Sequence, residues 1–264
     1  MIDIGVNLCN SQLGRQIPEV LENAYNAGVE QILVTGTDLQ ASREALEICQ
    51  QYNRAADYPV LHSTAGVHPH DARHWTDEAS ELLRALLNNP RVVAVGETGL
   101  DFNRNYSSRE DQIRAFEAQL EIAMDIQKPL FLHERDAFET QIEILQHLGN
   151  KLPPVVIHCF TGNRESLEAY LDCGFYIGIT GWVCDERRGR ELAEIVPIIP
   201  LDRLMVETDA PFLLPKNIEP KPESRTNYPA YLPWVVKKLA ECYGMNPQII
   251  ADSTAVNARR FFRI

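Results

Sequence analysis

Eight short apolar runs recur along the chain, and most are followed by a stretch with helical spacing; this alternation constrains the fold more than any other feature. The runs are Ile2–Val6, Gln31–Thr35, Val60–Gly66, Arg91–Val95, Pro129–His133, Val155–His158, Phe175–Ile179 and Leu204–Glu207. β-branched enrichment and flanking turn formers mark them as short buried strands. Helical periodicity and start signals predict helices over Ile17–Ala27, Leu39–Tyr52, Asp77–Leu87, Glu110–Ile126, Phe138–Leu148, Arg164–Asp172 and Arg187–Ile195. Two more are expected after the last strand, around Leu232–Cys242 and Pro247–Phe261. Gly28 and Gly174 stand just past helical runs, where a left-handed cap is needed, and each precedes a strand.

Eight strands alternating with helices in 264 residues match a (β/α)8 TIM barrel in both count and length. The alternative, an open doubly wound sheet, needs fewer strands and usually a G-x-G-x-x-G turn after the first. Here that turn reads Gly5-Val6-Asn7-Leu8-Cys9-Asn10. The barrel is the expected fold, with residues 1–264 as one domain. The proline-rich segment Pro211–Pro233 reads as a long loop after strand eight.

Composition narrows the class. At 45% apolar and 23% charged, the chain has the balance of an ordinary globular protein and enough length to bury a core without staples. Disordered, collagen-like, coiled-coil and disulfide-scaffold readings fall away. The longest charge-free runs, Tyr58 to His70 and Cys173 to Cys184, are 13 and 12 residues. A membrane span needs roughly 18 apolar residues, so none is expected. The opening Met1-Ile2-Asp3 shows no basic, then apolar, leader, so no secretory signal is expected either. Six scattered cysteines without a C-x-x-C pair point to reduced thiols and a cytoplasmic setting. A net charge of −12 argues against a general nucleic-acid coat. It leaves room for a local site where a bound cation supplies positive charge.

Working residues of a parallel barrel come from the C-terminal ends of its strands. Glu97, His133, His158 and Asp209 all fall there, at intervals of 36, 25 and 51 residues, close to one, one and two strand–helix periods. Two imidazoles and two carboxylates meeting at one mouth suit Zn, Mn, Fe or Co, and hold Mg less comfortably. Taken singly, a histidine ending a strand is more often structural, and Glu97 or Asp209 could cap a following helix. Their shared topological position favours a metal site. No nucleophile pattern competes: there is no G-x-S-x-G, and strand alternation predicts Cys159 to point away from His158. His68, in His68-Pro69-His70, is a candidate for contact with substrate phosphate or for a further ligand; the plainer reading is a loop stiffened by Pro69. Asp3 is expected to hydrogen-bond the mouth or to satisfy a backbone group.

The loops beyond strands four to eight carry cations, among them Arg135 and Arg225, interleaved with aromatics such as Trp182. Such a rim suits a single nucleic-acid strand, whose phosphates need cations and whose bases stack. Arg135, Trp182, Arg225 and His68 are the candidate substrate contacts. Ordinary polar loops and wall packing are the plainer account.

Taken together, these motifs resemble the TatD family of metal-dependent deoxyribonucleases, among the amidohydrolase-like barrels. The resemblance spans the chain. It runs through Asp3-Ile4-Gly5-Val6-Asn7-Leu8, Gly66-Val67-His68-Pro69-His70, Gly96-Glu97-Thr98-Gly99-Leu100-Asp101 and Leu132-His133. It continues through His158-Cys159-Phe160-Thr161-Gly162, Gly178-Ile179-Thr180-Gly181, Glu207-Thr208-Asp209-Ala210-Pro211, Asn227-Tyr228-Pro229 and the terminal Asn257-Ala258-Arg259-Arg260-Phe261-Phe262. It implies a 3′-to-5′ exonuclease preferring single-stranded DNA and using a divalent metal, Mg first, with Mn or Zn as alternatives. Glu97, His133 and His158 match the family's metal ligands and Asp209 its catalytic aspartate. Many members carry D-x-H-x-H on strand one; here the stretch is Asp3-Ile4-Gly5-Val6-Asn7, which implies one tight metal with a weaker second ion. Glu207 is expected to tune Asp209 or to serve as a secondary ligand. A DNA-repair or housekeeping setting fits a nuclease, with DNA as the partner and no membrane or obligate protein partner expected. Two rivals are kept: an amidohydrolase-like metal hydrolase of a small amide, lactone or phosphoester, and a metal-binding protein without turnover.

Overall fold

A computed structural model describes residues 1–53 and 57–264. Its strands are β1 (Ile2–Val6), β2 (Gln31–Val34), β3 (Val60–Ala65), β4 (Val92–Asp101), β5 (Leu130–Arg135), β6 (Val155–Ile157), β7 (Tyr176–Ile179) and β8 (Leu204–Val206). All eight lie in one sheet in sequence order, each parallel to the next. The ends of the sheet meet just past β8, where Val6 bridges Ala210 in parallel. There the Asp209 amide donates to the Gly5 carbonyl (2.9 Å) and the Asn7 amide to that of Ala210 (2.8 Å). The expected (β/α)8 barrel is what forms.

The helices are α1 (Ser11–Gly14), α2 (Ile17–Asn26), α3 (Leu39–Tyr52), α4 (Asp77–Leu87), α5 (Arg109–Ile126), α6 (Phe138–Leu148), α7 (Arg164–Asp172), α8 (Arg190–Ile195), α9 (Leu232–Tyr243) and α10 (Pro247–Phe262). Six of them start on side-chain caps: Asp38, Thr76, Ser108 and Asn163 each accept from the backbone amide three residues on, and Asn10 and Asn246 from the amide two residues on. Such a cap contributes about 1 kcal/mol and fixes where the loop hands over to the helix. α8 begins three residues later than its spacing predicts. The Asp185 carboxylate binds the amides of Arg187 (3.1 Å) and Arg188 (2.9 Å), holding that stretch in a turn.

A cluster of Ile2, Ile4, Leu33, Val93, Phe131, Val156 and Met205 draws on six strands around the sheet, so its members meet through the barrel. Ala255, Ala258, Phe261 and Phe262 of α10 join it, and the Phe261 ring packs on Tyr176 at the start of β7 (5.1 Å). The last helix therefore closes the barrel at the end away from the mouth. A fully buried side chain of this size contributes roughly 1.5–3 kcal/mol.

Strand lengths at the mouth differ from expectation in ways that matter. β4 runs to Asp101, six residues beyond the expected end at Val95. Gly96 (φ 146°) and Gly99 (φ 139°) make this possible, because a Cβ at either would run into the backbone carbonyl oxygen of Phe131 or His133. Only glycine lets β4 lie this close to β5 while holding a positive φ. Conversely, β6 and β8 stop one residue short, leaving His158 and Glu207 just past the ladder. Cys159 (φ 48°) and Asp209 (φ 52°) turn left-handed there and leave the extended path. The loop after β8 is tied down by buried Asn227, whose amide donates to the carbonyls of Thr208 (2.9 Å) and Phe212 (2.7 Å).

Candidate active site

One carboxylate oxygen organises the mouth. Glu97 Oε1 lies 2.8 Å from His158 Nε2, 3.0 Å from His133 Nδ1 and 3.3 Å from His68 Nε2. Three imidazoles from the ends of β3, β5 and β6 thus converge on the carboxylate of β4. The His68 ring is aimed by its own loop, since Nδ1 accepts from the His70 amide (3.1 Å) and leaves Nε2 to face Glu97. Sequence alternation explains the rest of β4: Glu97, Gly99 and Asp101 share one face.

Two further carboxylates stand behind the histidines. Asp101 Oδ2 lies 2.8 Å from His70 Nε2 and 3.5 Å from His133 Nε2. Glu207 Oε2 lies 3.3 Å from His158 Nδ1, and its other oxygen accepts from the Cys159 amide. Glu207 is fully buried between Gly5 and Gly178, where a Cβ on either glycine would collide with its carboxylate. Glu207 takes His158 as its bonded partner, and its charge also adds to the rise of the Asp209 pKa, as expected. Asp209 is held instead by Asn7, whose amide donates to Oδ1 (2.9 Å). Asp3 fulfils both of its expected roles, since its carboxylate takes the Thr208 amide (2.9 Å) and hydroxyl (2.6 Å) and so fixes the backbone between Glu207 and Asp209.

The charge states follow from these contacts. Burial opposes the charge of Glu97, but His158 and His68 beside it, with hydrogen bonds from His133 and His158, hold it well below the usual carboxylate range. Burial likewise opposes protonation of His158, and the Glu97 and Glu207 carboxylates overcome it, raising His158 well above an ordinary imidazole. His68 is pushed down to about 4, chiefly by burial against the pull of Glu97. Burial pushes Asp209 up to about 7, with His158 opposing that rise. It pushes Asp3 up to about 8, against the Thr208 hydrogen bonds.

Above this cluster opens a cavity of about 670 Å³, within the range of about 300–1,000 Å³ usual for ligand clefts. Glu97, His133, His158, Asp209 and His68 all line it, so every expected ligand and His68 reach one space. Arg135 and Trp182 line it as well; Arg188 lies over the Trp182 ring at 4.5 Å. Arg225 is exposed on the loop after β8, outside this lining. The expectation for Cys159 is corrected, because its left-handed turn cancels strand alternation and brings it into the lining beside His158. Asp101, Asn7 and Thr35 were not singled out from sequence. The even spacing from Glu97 marks Asp101, and Asn7 directly follows β1, whereas nothing local marks Thr35.

The fold and this donor set define a barrel enzyme with its chemistry at the strand ends. Comparison with known proteins makes the class specific. The family described as TatD related DNase matches residues 2–263. The 3′-5′ ssDNA/RNA exonuclease TatD of Salmonella typhimurium is 49% identical, over all of this chain and 99% of that protein. Its counterpart from Pectobacterium carotovorum subsp. carotovorum is 51% identical over the full length of both. The crystal structure of YJJV, a TatD homologue from Escherichia coli K12, superposes with a TM-score of 0.89 at 26% identity, covering all of this chain and 98% of that one. The chain belongs to the TatD-related DNase family.

Proposed function

We propose that this protein is a metal-dependent 3′-to-5′ exonuclease of single-stranded nucleic acid, acting through the Glu97 cluster. The carrying observation is the convergence of three imidazoles on Glu97 Oε1 at the floor of a cavity flanked by Arg135 and Trp182. Relatives about half identical over their whole length bear that activity in their names.

The residues fit a divalent cation. Ligand atoms of His68, Glu97 and His133 lie within 4.8 Å of one another. Imidazole and carboxylate donors suit Mn, Zn and, with fewer nitrogens, Mg; Mg is our first choice, as the resemblance to the family implies. Glu97, His133 and His158 would hold it, with His68 or Asp209 completing the set. Such an ion supplies Lewis-acid relief of phosphoryl charge and a water of lowered pKa.

The chain's own groups do the remainder. Asp209, anchored by Asn7 and raised towards neutral pH by burial, orients the attacking water and takes its proton. The water oxygen bonds to phosphorus, the P–O3′ bond breaks, and O3′ leaves with a proton. The products are a strand shortened by one residue with a 3′-hydroxyl, and a nucleoside 5′-monophosphate. Arg135 neutralises phosphate and Trp182 offers a face to a base.

The whole chain acts as one catalytic domain in this reading. Among the described residues no helix is long and apolar enough to cross a membrane. All six cysteines are free thiols, which supports a reducing setting such as the cytoplasm.

The test is 5′-labelled single-stranded DNA and RNA incubated with Mg, with Mn and with chelator, beside a Glu97→Gln, His133→Ala control. A ladder shortening from the 3′ end, abolished by chelator and in the control, is expected. Intact strands under every metal, together with turnover of a small phosphoester or lactone, would replace this reading with the small-substrate hydrolase.

A further inference from the structure

Of the large apolar side chains that stay exposed among the described residues, Phe212 alone lines the active-site cavity; it is 48% exposed. Single exposed apolar side chains are ordinary on a protein surface. Phe212 differs because its backbone is fixed while its ring stays uncovered. Its amide donates to the carbonyl of Asp209 (3.0 Å). Its carbonyl accepts from the Asn227 side chain (2.7 Å), and the Asn227 amide donates to the Pro211 carbonyl (2.9 Å). Asn227 is fully buried, so the segment that carries the ring is tied to the interior. A ring mounted this way has little freedom left to lose when a ligand covers it.

Trp182, which lines the same cavity, stands on the neighbouring loop after β7. The two loops interlock, since Gly181 has no room for a Cβ against the Leu213 carbonyl. The Trp182 amide donates to the Thr180 hydroxyl (3.2 Å). The Arg188 guanidinium lies 4.5 Å over the indole and is itself held by Asp185 (3.0 Å). Phe212 and Trp182 are thus two aromatic groups on one braced rim, next to the carboxylate assigned to the attacking water.

We propose that Phe212 is a specificity-determining residue, whose ring stacks on an unpaired base of the strand being cut, alongside Trp182. The inference rests on the exonuclease reading and deepens it. A nucleic-acid strand offers phosphates, sugar hydroxyls and bases. A phenyl ring has no donor for the first two, and its flat apolar face matches the third. In a duplex both faces of an internal base are covered by its neighbours, so only a base outside that stack can lie against Phe212. The ring therefore favours single strands. Every base has a π-face, so the same contact serves all four bases, in DNA and RNA alike.

The experiment uses 5′-labelled single strands of one sequence with the metal-loaded full-length protein. One strand is intact, and two carry an abasic tetrahydrofuran residue at the last or the next-to-last position. At subsaturating strand, the wild type is expected to remove the terminal residue of at least one abasic strand about tenfold more slowly than that of the intact one. Phe212→Ala is expected to slow the intact strand by a similar factor and to leave the rate on that abasic strand near wild type. Phe212→Tyr, which keeps the flat ring, should stay within a few-fold of wild type on every strand. Phe212→Leu keeps the apolar bulk without the ring and should fall with alanine, which covers the case of a folding defect in Phe212→Ala. Equal slowing of intact and abasic strands in the alanine and leucine variants would mean a merely structural role. That result, no slowing of the intact strand, or equal wild-type rates on all three strands would overturn the assignment. Failure of the wild type to cut the intact strand would overturn the exonuclease reading itself.

Discussion

The carboxylate of Glu207 lies 3.3 Å from His158 Nδ1, on the edge of the ring opposite the nitrogen that faces Glu97. Asp101 stands to His133 in a similar relation, at a longer 3.5 Å. A carboxylate behind a histidine fixes its ring orientation and makes its other nitrogen a better donor to a cation. In His158 the fixation is the stronger, because Glu207 also binds the Cys159 amide and so holds the backbone on which the ring is mounted.

Glu207→Gln keeps the volume between Gly5 and Gly178 and an acceptor for the Cys159 amide, and removes only the charge. Its affinity for Mn or Mg is expected to fall about 10- to 100-fold. Titration calorimetry measures this directly, beside an unchanged unfolding temperature in chelator. Wild-type affinity would reduce Glu207 to a packing element.

Asp209→Asn separates proton transfer from metal binding. Turnover on single-stranded DNA is expected to drop by about 10²- to 10⁴-fold, the usual contribution of a positioned base. Metal affinity is expected to stay within a few-fold of wild type. Parallel loss of both would make Asp209 chiefly a ligand.

Arg135 lines the cavity and Arg225 does not, so their substitutions should part company. For single strands the slope of log affinity against log salt is about −0.7 per neutralised phosphate. Arg135→Ala is expected to flatten the slope by about that amount, and Arg225→Ala to leave it unchanged. Fluorescence anisotropy with the inactive Asp209→Asn protein, across a salt series, reads both.

His62, on β3, offers a pH effect away from the cluster. Burial, reinforced by Arg91, pushes its imidazole down to about 4 from the ordinary 6.5. Between those values the unfolded chain binds more protons than the folded one, so stability is lost as pH falls from about 6.5 towards 4. His62→Gln should lose less stability than wild type between pH 7 and pH 5. Urea midpoints at the two pH values give the comparison, and equal losses would refute it.

The parts of this protein legible in sequence are those decided over a few residues. Apolar β-branched runs and helical periodicity mark eight strands and nearly all the helices. Strand-end position then brings Glu97, His133, His158 and Asp209 to one mouth. What escaped is set by contacts between distant segments. Gly96 and Gly99 look like turn formers until β5 lies against them and β4 runs on to Asp101. Cys159 leaves the alternating path because its backbone turns left-handed. Glu207 finds His158, 49 residues away, only when the barrel closes. Periodicity is a property of local backbone angles, so the sequence by itself determined the elements and the end of the barrel where the chemistry lies. Register and closure join residues tens to hundreds of positions apart, so the tertiary structure alone decided which carboxylate supports which histidine.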